Sequence, residues 1–469
     1  MKIQIALPSQ EIGISYTDRC YWSQAPLRLS TYLKSQIPDV KVEFLDGTLR
    51  SEYRSIEEVS KRIDPNCDLF GISIPSTYAY KNALTLARIA KESGVKKVIL
   101  GGHHINDIEI ARGSISRNGF IDAICYDKGE HTLVDLLKKE DWTVVPNLVY
   151  RDGNTIRITN RDTHPLTIND FPFLDYDLLD LKQYMRIQRE RLWYSPTPQA
   201  VVFTHEGCWW REKTGGCTFC MIPGKTLVIK SPDKFWNELL LLKKKYGFVG
   251  AKDYGDDFTG LLRAKKEAVK RGFSLPSIED FLATRPQELS DFHLLGYAKT
   301  DEITEEVGDL LKSLNFSHLL IGYESGSDRQ LRNMRKGTTQ KLHLRATKIL
   351  ADRDIKVYAG FVLGTPGEDR ESLEETLRFA EKLMEFGNMT TGGASPISIF
   401  PGSPDWLELT RVEPKYIGWD DFPIDKSRRD WIKHFCPNLG EPTKALDVLI
   451  EYSKRINSLF PEENRLGWY

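Results

Sequence analysis

The sequence predicts an α/β protein in two main parts: a doubly wound, Rossmann-like unit over residues 1–145 and a partial (β/α)6 barrel of the TIM type over residues 199–401. Three observations carry that expectation. Short apolar runs alternate with helical patterns through about the first 140 residues. A second alternating series starts at Ala200, and it counts six βα units, two short of a closed eight-fold barrel. A hairpin and linker (146–198) would join the parts, and a small C-terminal extension (402–469) would follow.

In chain order, Lys2–Leu7 is predicted as a strand and Leu27–Ser35 as a helix, with Pro26 suited to a first-turn position. Val40–Leu45, Leu69–Ile74, Lys97–Leu100 and Ala123–Tyr126 continue the strand series. Helical patterns at Ile56–Arg62, Tyr80–Lys91 and Glu130–Leu137 alternate with them. Such alternation means parallel strands with ligands at their carboxyl ends, so the informative loops follow Leu7, Ile74 and Leu100. Asp152-Gly153, between the runs Asn147–Tyr150 and Thr155–Ile158, signals a β-hairpin. From Thr163 to Pro198 the chain is rich in Pro, Asp and Tyr with little periodicity, and it reads as a linker wrapped over the surface. Barrel strands are predicted at Ala200–Thr204, Gly250–Tyr254, Leu294–Ala298, His318–Tyr323, Lys356–Leu363 and Pro396–Phe400. Helices between them are predicted at Pro232–Lys245, Thr304–Leu314, Thr339–Arg353 and Arg370–Phe386.

A chain of 469 residues exceeds one ordinary core, so two or three domains are expected. Its formal net charge of −1 gives no broad field toward nucleic acid or membrane lipid, and neither is expected as a partner. The opening MKIQIALPSQEIG has an apolar run too brief for a signal peptide, and no apolar stretch approaches the roughly 20 residues that span a bilayer. A cytoplasmic location is expected. Seven cysteines in so long a chain do not suggest a disulfide framework, and in a reducing compartment clustered ones point to metal.

Directly after the first barrel strand come Cys208, Cys217 and Cys220, spaced C-x8-C-x2-C around a loop containing Gly215-Gly216. Thiolates suit iron–sulfur clusters and zinc alike. A structural zinc site wants four protein ligands, with His205 as the fourth candidate, whereas a cluster held by three leaves one iron open. Position at the carboxyl end of a barrel strand, where ligand sites belong, favours the cluster.

With these residues the sequence resembles the radical S-adenosylmethionine (SAM) superfamily, whose usual spacing is C-x3-C-x2-C with an aromatic, here Phe219, before the last cysteine. The longer loop, beginning Gly-Cys-Trp-Trp and ending Cys-Thr-Phe-Cys, is similar to radical SAM proteins that C-methylate peptides in ribosomal natural-product maturation. The resemblance implies a 4Fe–4S cluster on the three cysteines and SAM bound along the strand ends. Gly255-Asp256-Asp257 matches the Gly-Gly-Glu motif that holds the SAM ammonium, and an Asp can accept that charge-assisted hydrogen bond. Lys299 stands where a basic residue meets the SAM carboxylate. Glu324-Ser325-Gly326 matches the ribose-contacting segment, and Gly360–Glu368, with Gly364, matches the segment that supports adenine.

A doubly wound unit ahead of such a barrel resembles the cobalamin-binding class. Gly71–Ser73 and Gly101-Gly102 correspond to the second and third parts of its corrinoid pattern, but the first part, Asp-x-His-x-x-Gly, is absent. Cobalt would therefore lack its usual lower imidazole, and Tyr78, Tyr80, His103 and His104 are the side chains that could approach the corrin. The implied activity is cobalamin-dependent C-methylation of an unactivated carbon through a 5′-deoxyadenosyl radical, with methylcobalamin as methyl donor. The implied partners are a peptide or protein substrate, such as a glutamine of methyl-coenzyme M reductase, and a flavodoxin or ferredoxin as electron donor. Methylthiotransferases are the rival: they bind a second cluster on three N-terminal cysteines, and Cys20, Cys67 and Cys125 are present here. A non-catalytic corrinoid or metal scaffold would leave the SAM-like motifs unexplained.

Overall fold

A computed structural model describes residues 1–9, 20–49, 56–192, 195–222, 226–417 and 424–460. Its strands are β1 (Lys2–Leu7), β2 (Lys41–Asp46), β3 (Leu69–Ile74), β4 (Val98–Gly102), β5 (Ala123–Cys125), β6 (Leu148–Asp152), β7 (Thr155–Ile158) and β8 (Gln199–Val202), then β9 (His205–Glu206) and β10 (Val228–Ile229). β11 (Gly250–Asp253), β12 (His293–Ala298), β13 (Phe316–Glu324), β14 (Lys356–Leu363) and β15 (Met389–Pro396) complete the set.

The first sheet has the order β2-β1-β3-β4-β5-β6-β7, parallel from β2 to β5 and antiparallel beyond. Runs such as Leu69–Ile74 are buried almost throughout, as strands covered on both faces must be. The predicted hairpin is β6–β7, and it extends this sheet instead of standing apart. The second sheet is all parallel, in chain order from β8 through β11, β12, β13 and β14 to β15, with β8 and β15 as its edges. This is the doubly wound unit and six-stranded open barrel that the alternation predicted.

Three readings change. The sixth barrel strand is Met389–Pro396, not Pro396–Phe400. MTTGGASP carries no apolar run, yet it pairs with β14 along its length because close neighbours require its small residues: a Cβ on Gly392 would lie 2.1 Å from the Phe460 ring. The supposed surface linker contains the helix Leu181–Arg191, which buries Leu181, Tyr184, Ile187, Gln188 and Arg191. Tyr184 packs edge-on against Trp22, and Trp22 in turn meets Phe248 of the barrel, so this helix is wedged between the two units. The C-terminal extension is helical at Pro404–Val412, Ile424–Phe435 and Pro442–Asn457, the last lying along β15.

Side-chain amides occupy both edges of the barrel sheet. At β8, Gln188 accepts from Gln199 N (2.7 Å) and donates to Gln199 O (2.9 Å), while Gln24 donates to Val201 O (2.7 Å). At β15, Asn457 accepts from Ala394 N (2.6 Å) and donates to Ala394 O (3.2 Å). Among the described residues no helix is long and apolar enough to cross a membrane.

Candidate functional site

Cys208 caps a short helix, Trp209–Thr214, which ends on Gly215 and Gly216 at φ +86° and +85° before Cys217. The left-handed pair turns the chain sharply, at little cost for glycine. All three cysteines are half-buried and free of disulfides. Burial pushes the Cys208 thiol up to about 12 and Cys217 up to about 11, and it raises Cys220 as well. Cations oppose this: Lys299 acts on Cys208, Lys336 and Lys299 on Cys217, and Arg211 and Lys336 on Cys220.

His205 is fully buried and both ring nitrogens are engaged: Nδ1 with Thr204 Oγ1 (2.8 Å), and Nε2 accepting from Asp257 N (3.0 Å). It is not a fourth metal ligand. Among the described residues no three His, Cys, Asp or Glu side chains converge on a single-ion position.

After β11, the two aspartates divide their work. Asp257 is buried and accepts from Thr259 Oγ1 (2.8 Å), Gly260 N (3.2 Å) and Lys299 N (3.2 Å), stitching the β11 and β12 loops together. Asp256 is half-buried; its Oδ2 accepts from Gly207 N (3.0 Å), and burial raises its carboxyl to about 7. Gly255 has no room for a side chain, because a Cβ would stand 2.4 Å from the His205 ring.

Lys299 is committed within the protein: it donates to Lys336 O (2.9 Å), ion-pairs with Asp301 (3.0 Å) and lies 4.5 Å from the Trp210 ring centroid. Glu324 ends β13 at φ +65°, a conformation that costs a non-glycine residue about 1–3 kcal/mol. Its carboxylate folds back over Gly322 and accepts from Lys336 Nζ at 2.7 Å, both side chains being about nine-tenths buried. Burial depresses the Lys336 ammonium, but Glu324 and the nearby thiols hold it above its ordinary range. Lys336 also stands 5.8 Å from the Phe219 ring centroid. Ser325 is turned inward, bonded to Thr376 Oγ1 (2.9 Å) and Ser327 N (3.1 Å). Gly364, at φ +89°, donates to Glu368 (3.1 Å) and accepts from Trp431 Nε1 (2.9 Å), so the C-terminal helices close over this end of β14.

Across from these strand ends lie those of the first sheet. Ser73 and Ile74 pair with Gly101 and Gly102. Gly102 adopts φ +110°, and a Cβ there would meet Ile74 O at 2.4 Å, whereas one on Gly101 would make only an ordinary 3.6 Å contact. Tyr78 reaches the segment after β15, bonding Ser398 Oγ (3.0 Å) and packing edge-on against Phe400. His103 is exposed. Tyr80 and His104 do not face outward: they are buried against each other at 4.1 Å, with His104 Nδ1 bonded to Thr77. A further tie joins the two units at Glu206, whose carboxylate is held by Arg28 and by Lys128 (3.1 Å) just before the first cysteine.

Residues 202–380 match the profile of the radical SAM superfamily. The chain carries a radical SAM domain. An uncharacterized methyltransferase of Pyrococcus horikoshii, PH0819, is 28% identical over 455 residues, covering 93% of this chain and 89% of that protein. A tRNA-2-methylthio-N(6)-dimethylallyladenosine synthase of Ehrlichia canis is more distant, at 24% over 300 residues, 61% of this chain and 57% of that one. The fold is shared with the radical S-adenosylmethionine methyltransferase TsrM from Kitasatospora setae, solved with cobalamin and a 4Fe–4S cluster bound. Their TM-score is 0.65 at 17% identity, over 88% of this chain and 78% of that one. It is shared too with the cobalamin-dependent S-adenosylmethionine radical enzyme OxsB, solved with aqua-cobalamin and S-adenosylmethionine bound. There the TM-score is 0.66 at 18% identity, over 97% and 71% of the two chains.

Lys299, Lys336 and Glu324 thus act on Cys217 and Asp256 on Cys220, with Phe219 beside Lys336, while Asp257 and Ser325 are bonded into the surrounding loops. Three half-buried thiols with cationic neighbours and no fourth ligand are a donor set suited to a cluster with one open iron. Beside the bare Gly102 edge, Ser76 Oγ is buried without a hydrogen-bond partner. Lys336 went unnoticed in the sequence. Its partner Glu324 is 12 residues away, and the two meet because the helix Asp328–Asn333 and the turn after it bring the chain back.

Proposed function

We propose that this chain is a cobalamin-dependent radical SAM methyltransferase that adds a methyl group to an unactivated carbon of an amino-acid residue in a peptide or protein. One observation carries the reading: the half-buried Cys208, Cys217 and Cys220 lie within electrostatic reach of Lys299, Lys336, Glu324 and Asp256 from neighbouring strand-end loops, while the Tyr78–Ser398 bond ties the loop after β3 to the segment after β15. Two solved neighbours, one holding cobalamin with a 4Fe–4S cluster and the other aqua-cobalamin with SAM, and the methyltransferase of Pyrococcus horikoshii support it.

In this reading Cys208, Cys217 and Cys220 hold a 4Fe–4S cluster. Asp256 receives the SAM ammonium and Glu324 the ribose, with Phe219 and Gly364 near the adenine. Lys299 would reach the SAM carboxylate by exchanging its bond to Lys336 O. Ser73, Gly101 and Gly102 admit the corrinoid, and Tyr78 and His103 line its approach. When bound, these groups supply the electron that cleaves SAM and the methyl to be transferred; a flavodoxin or ferredoxin would deliver the electron. The protein orients them and excludes water.

The methylthiotransferase alternative meets an obstacle. Cys67 precedes β3 and Cys125 ends β5, so they lie at opposite ends of one sheet, roughly 15–20 Å apart at about 3.3 Å per residue. The test is methyl incorporation from labelled SAM into candidate peptides, with and without cobalamin, beside iron analysis. Cobalamin-dependent methylation with about four irons per chain is expected. Methylthiolation with about eight would refute the reading.

A further inference from the structure

A single turn, Met334–Gly337, holds the chain on both sides of the gap between Cys208 and Cys217–Cys220. On the Cys208 side, Trp210 Nε1 donates to Arg335 O (2.8 Å). Its ring lies against Gly337 (φ +75°), where a Cβ would stand 2.4 Å from the indole. On the Cys217–Cys220 side, Thr218 N donates to Met334 O (3.0 Å), and the Lys336 ammonium faces Phe219. Lys299 closes the arrangement, bonded to Lys336 O and seated over the Trp210 ring.

We infer that Trp210 and Gly337 form a positioning pair that sets Cys208 relative to Cys217 and Cys220. The spacer is too long to do this by covalent reach, so the indole docks its first half on the turn that already holds the Cys217–Cys220 stretch. Gly337 has no side chain because the indole needs that space. Trp210 touches no reacting atom; it acts through Cys208. The inference rests on the proposed reading that the thiols hold a cluster.

The experiment reconstitutes the full-length chain anaerobically with iron and sulfide, comparing wild type with Trp210→Phe, Trp210→Ala and Gly337→Ala. It reads iron per chain, the electron paramagnetic resonance spectrum of the reduced cluster, and the rate of iron loss to a chelator. Thermal melts of the iron-free proteins monitor the fold. Trp210→Ala and Gly337→Ala should lose iron at least about ten-fold faster, with an altered spectrum. Trp210→Phe, which keeps a ring but not the N–H, should fall between them and wild type. Wild-type retention and spectra in well-folded Trp210→Ala and Gly337→Ala would overturn the inference. Should those two fail to fold, wild-type behaviour of Trp210→Phe overturns it. A wild-type protein that takes up no four-iron cluster overturns the reading beneath it instead.

Discussion

Replacing Lys336 with Met would leave the Glu324 carboxylate about nine-tenths buried with its 2.7 Å partner gone. Removing one member of a buried ion pair costs about 3–5 kcal/mol, because the remaining charge is desolvated without compensation. A second route caps the loss. A carboxylic acid of ordinary pKa, about 4.3, can be protonated at pH 7 for about 3.7 kcal/mol, at about 1.36 kcal/mol per pH unit. The variant should therefore lose about 3–4 kcal/mol at pH 7 but under about 2 kcal/mol at pH 5.5. The sign follows from proton count: the folded variant binds a proton that the unfolded chain releases, so its stability falls as pH rises. In thermal melts of the iron-free protein, a barrel of this size should melt roughly 8–15 °C lower at pH 7, and the gap should close toward acid. Glu324→Gln combined with Lys336→Met should recover most of the loss, since neither charge is then left alone. A Lys336→Met protein that melts like wild type at pH 7, or a deficit that does not change with pH, would refute this account.

Three other outcomes are expected. Asp256→Asn should weaken SAM binding, measured by calorimetry, at least about ten-fold with little change in melting, whereas Asp257→Ala should lower the melting temperature because three internal donors lose their acceptor. Gly102→Val should cost roughly 2–5 kcal/mol and abolish aquocobalamin uptake seen by absorbance, while Gly101→Ala should cost under about 1 kcal/mol and still fold. Glu368 is buried and raised by burial to about 7, so wild-type stability should fall as pH climbs from the ordinary carboxyl range to about 7. Glu368→Gln should remove a slope of about 3 kcal/mol over that window in denaturant titrations.

Strands with dense apolar runs, such as LFGISI and HLLIGY, were legible because burial on both faces leaves an unbroken signature. β15 was not, since it is specified by what packs on it: Phe460 and Asn457 lie more than sixty residues downstream. The Leu181–Arg191 helix hid behind its charges, its buried face including Gln188 and Arg191. At the candidate site, spacing and position in the sequence singled out the cysteines and the Asp256 and Glu324 motifs, and the structure sets them on neighbouring strand-end loops. The separate fates of Asp256 and Asp257 depend on which way adjacent side chains point from a loop, and no pattern encodes that. Tyr80 and His104 were indistinguishable from Tyr78 and His103 in the sequence; burial separates them.

Gln24 and Gln188 on one flank and Asn457 on the other do more than satisfy stray backbone groups. Each carboxamide imitates a peptide unit, so part of each border of the six-stranded array is capped without a seventh or eighth strand. An unfinished border invites another chain to add itself. A capped one lets the wall stop at six strands, and an open barrel, unlike a closed one, leaves room for a lateral approach to its strand ends. Were the substrate a long polypeptide, as proposed, a residue in its middle could be presented from that side without threading either end. Asn457→Leu, by the same logic, should leave the chemistry's residues untouched yet make the protein prone to self-association.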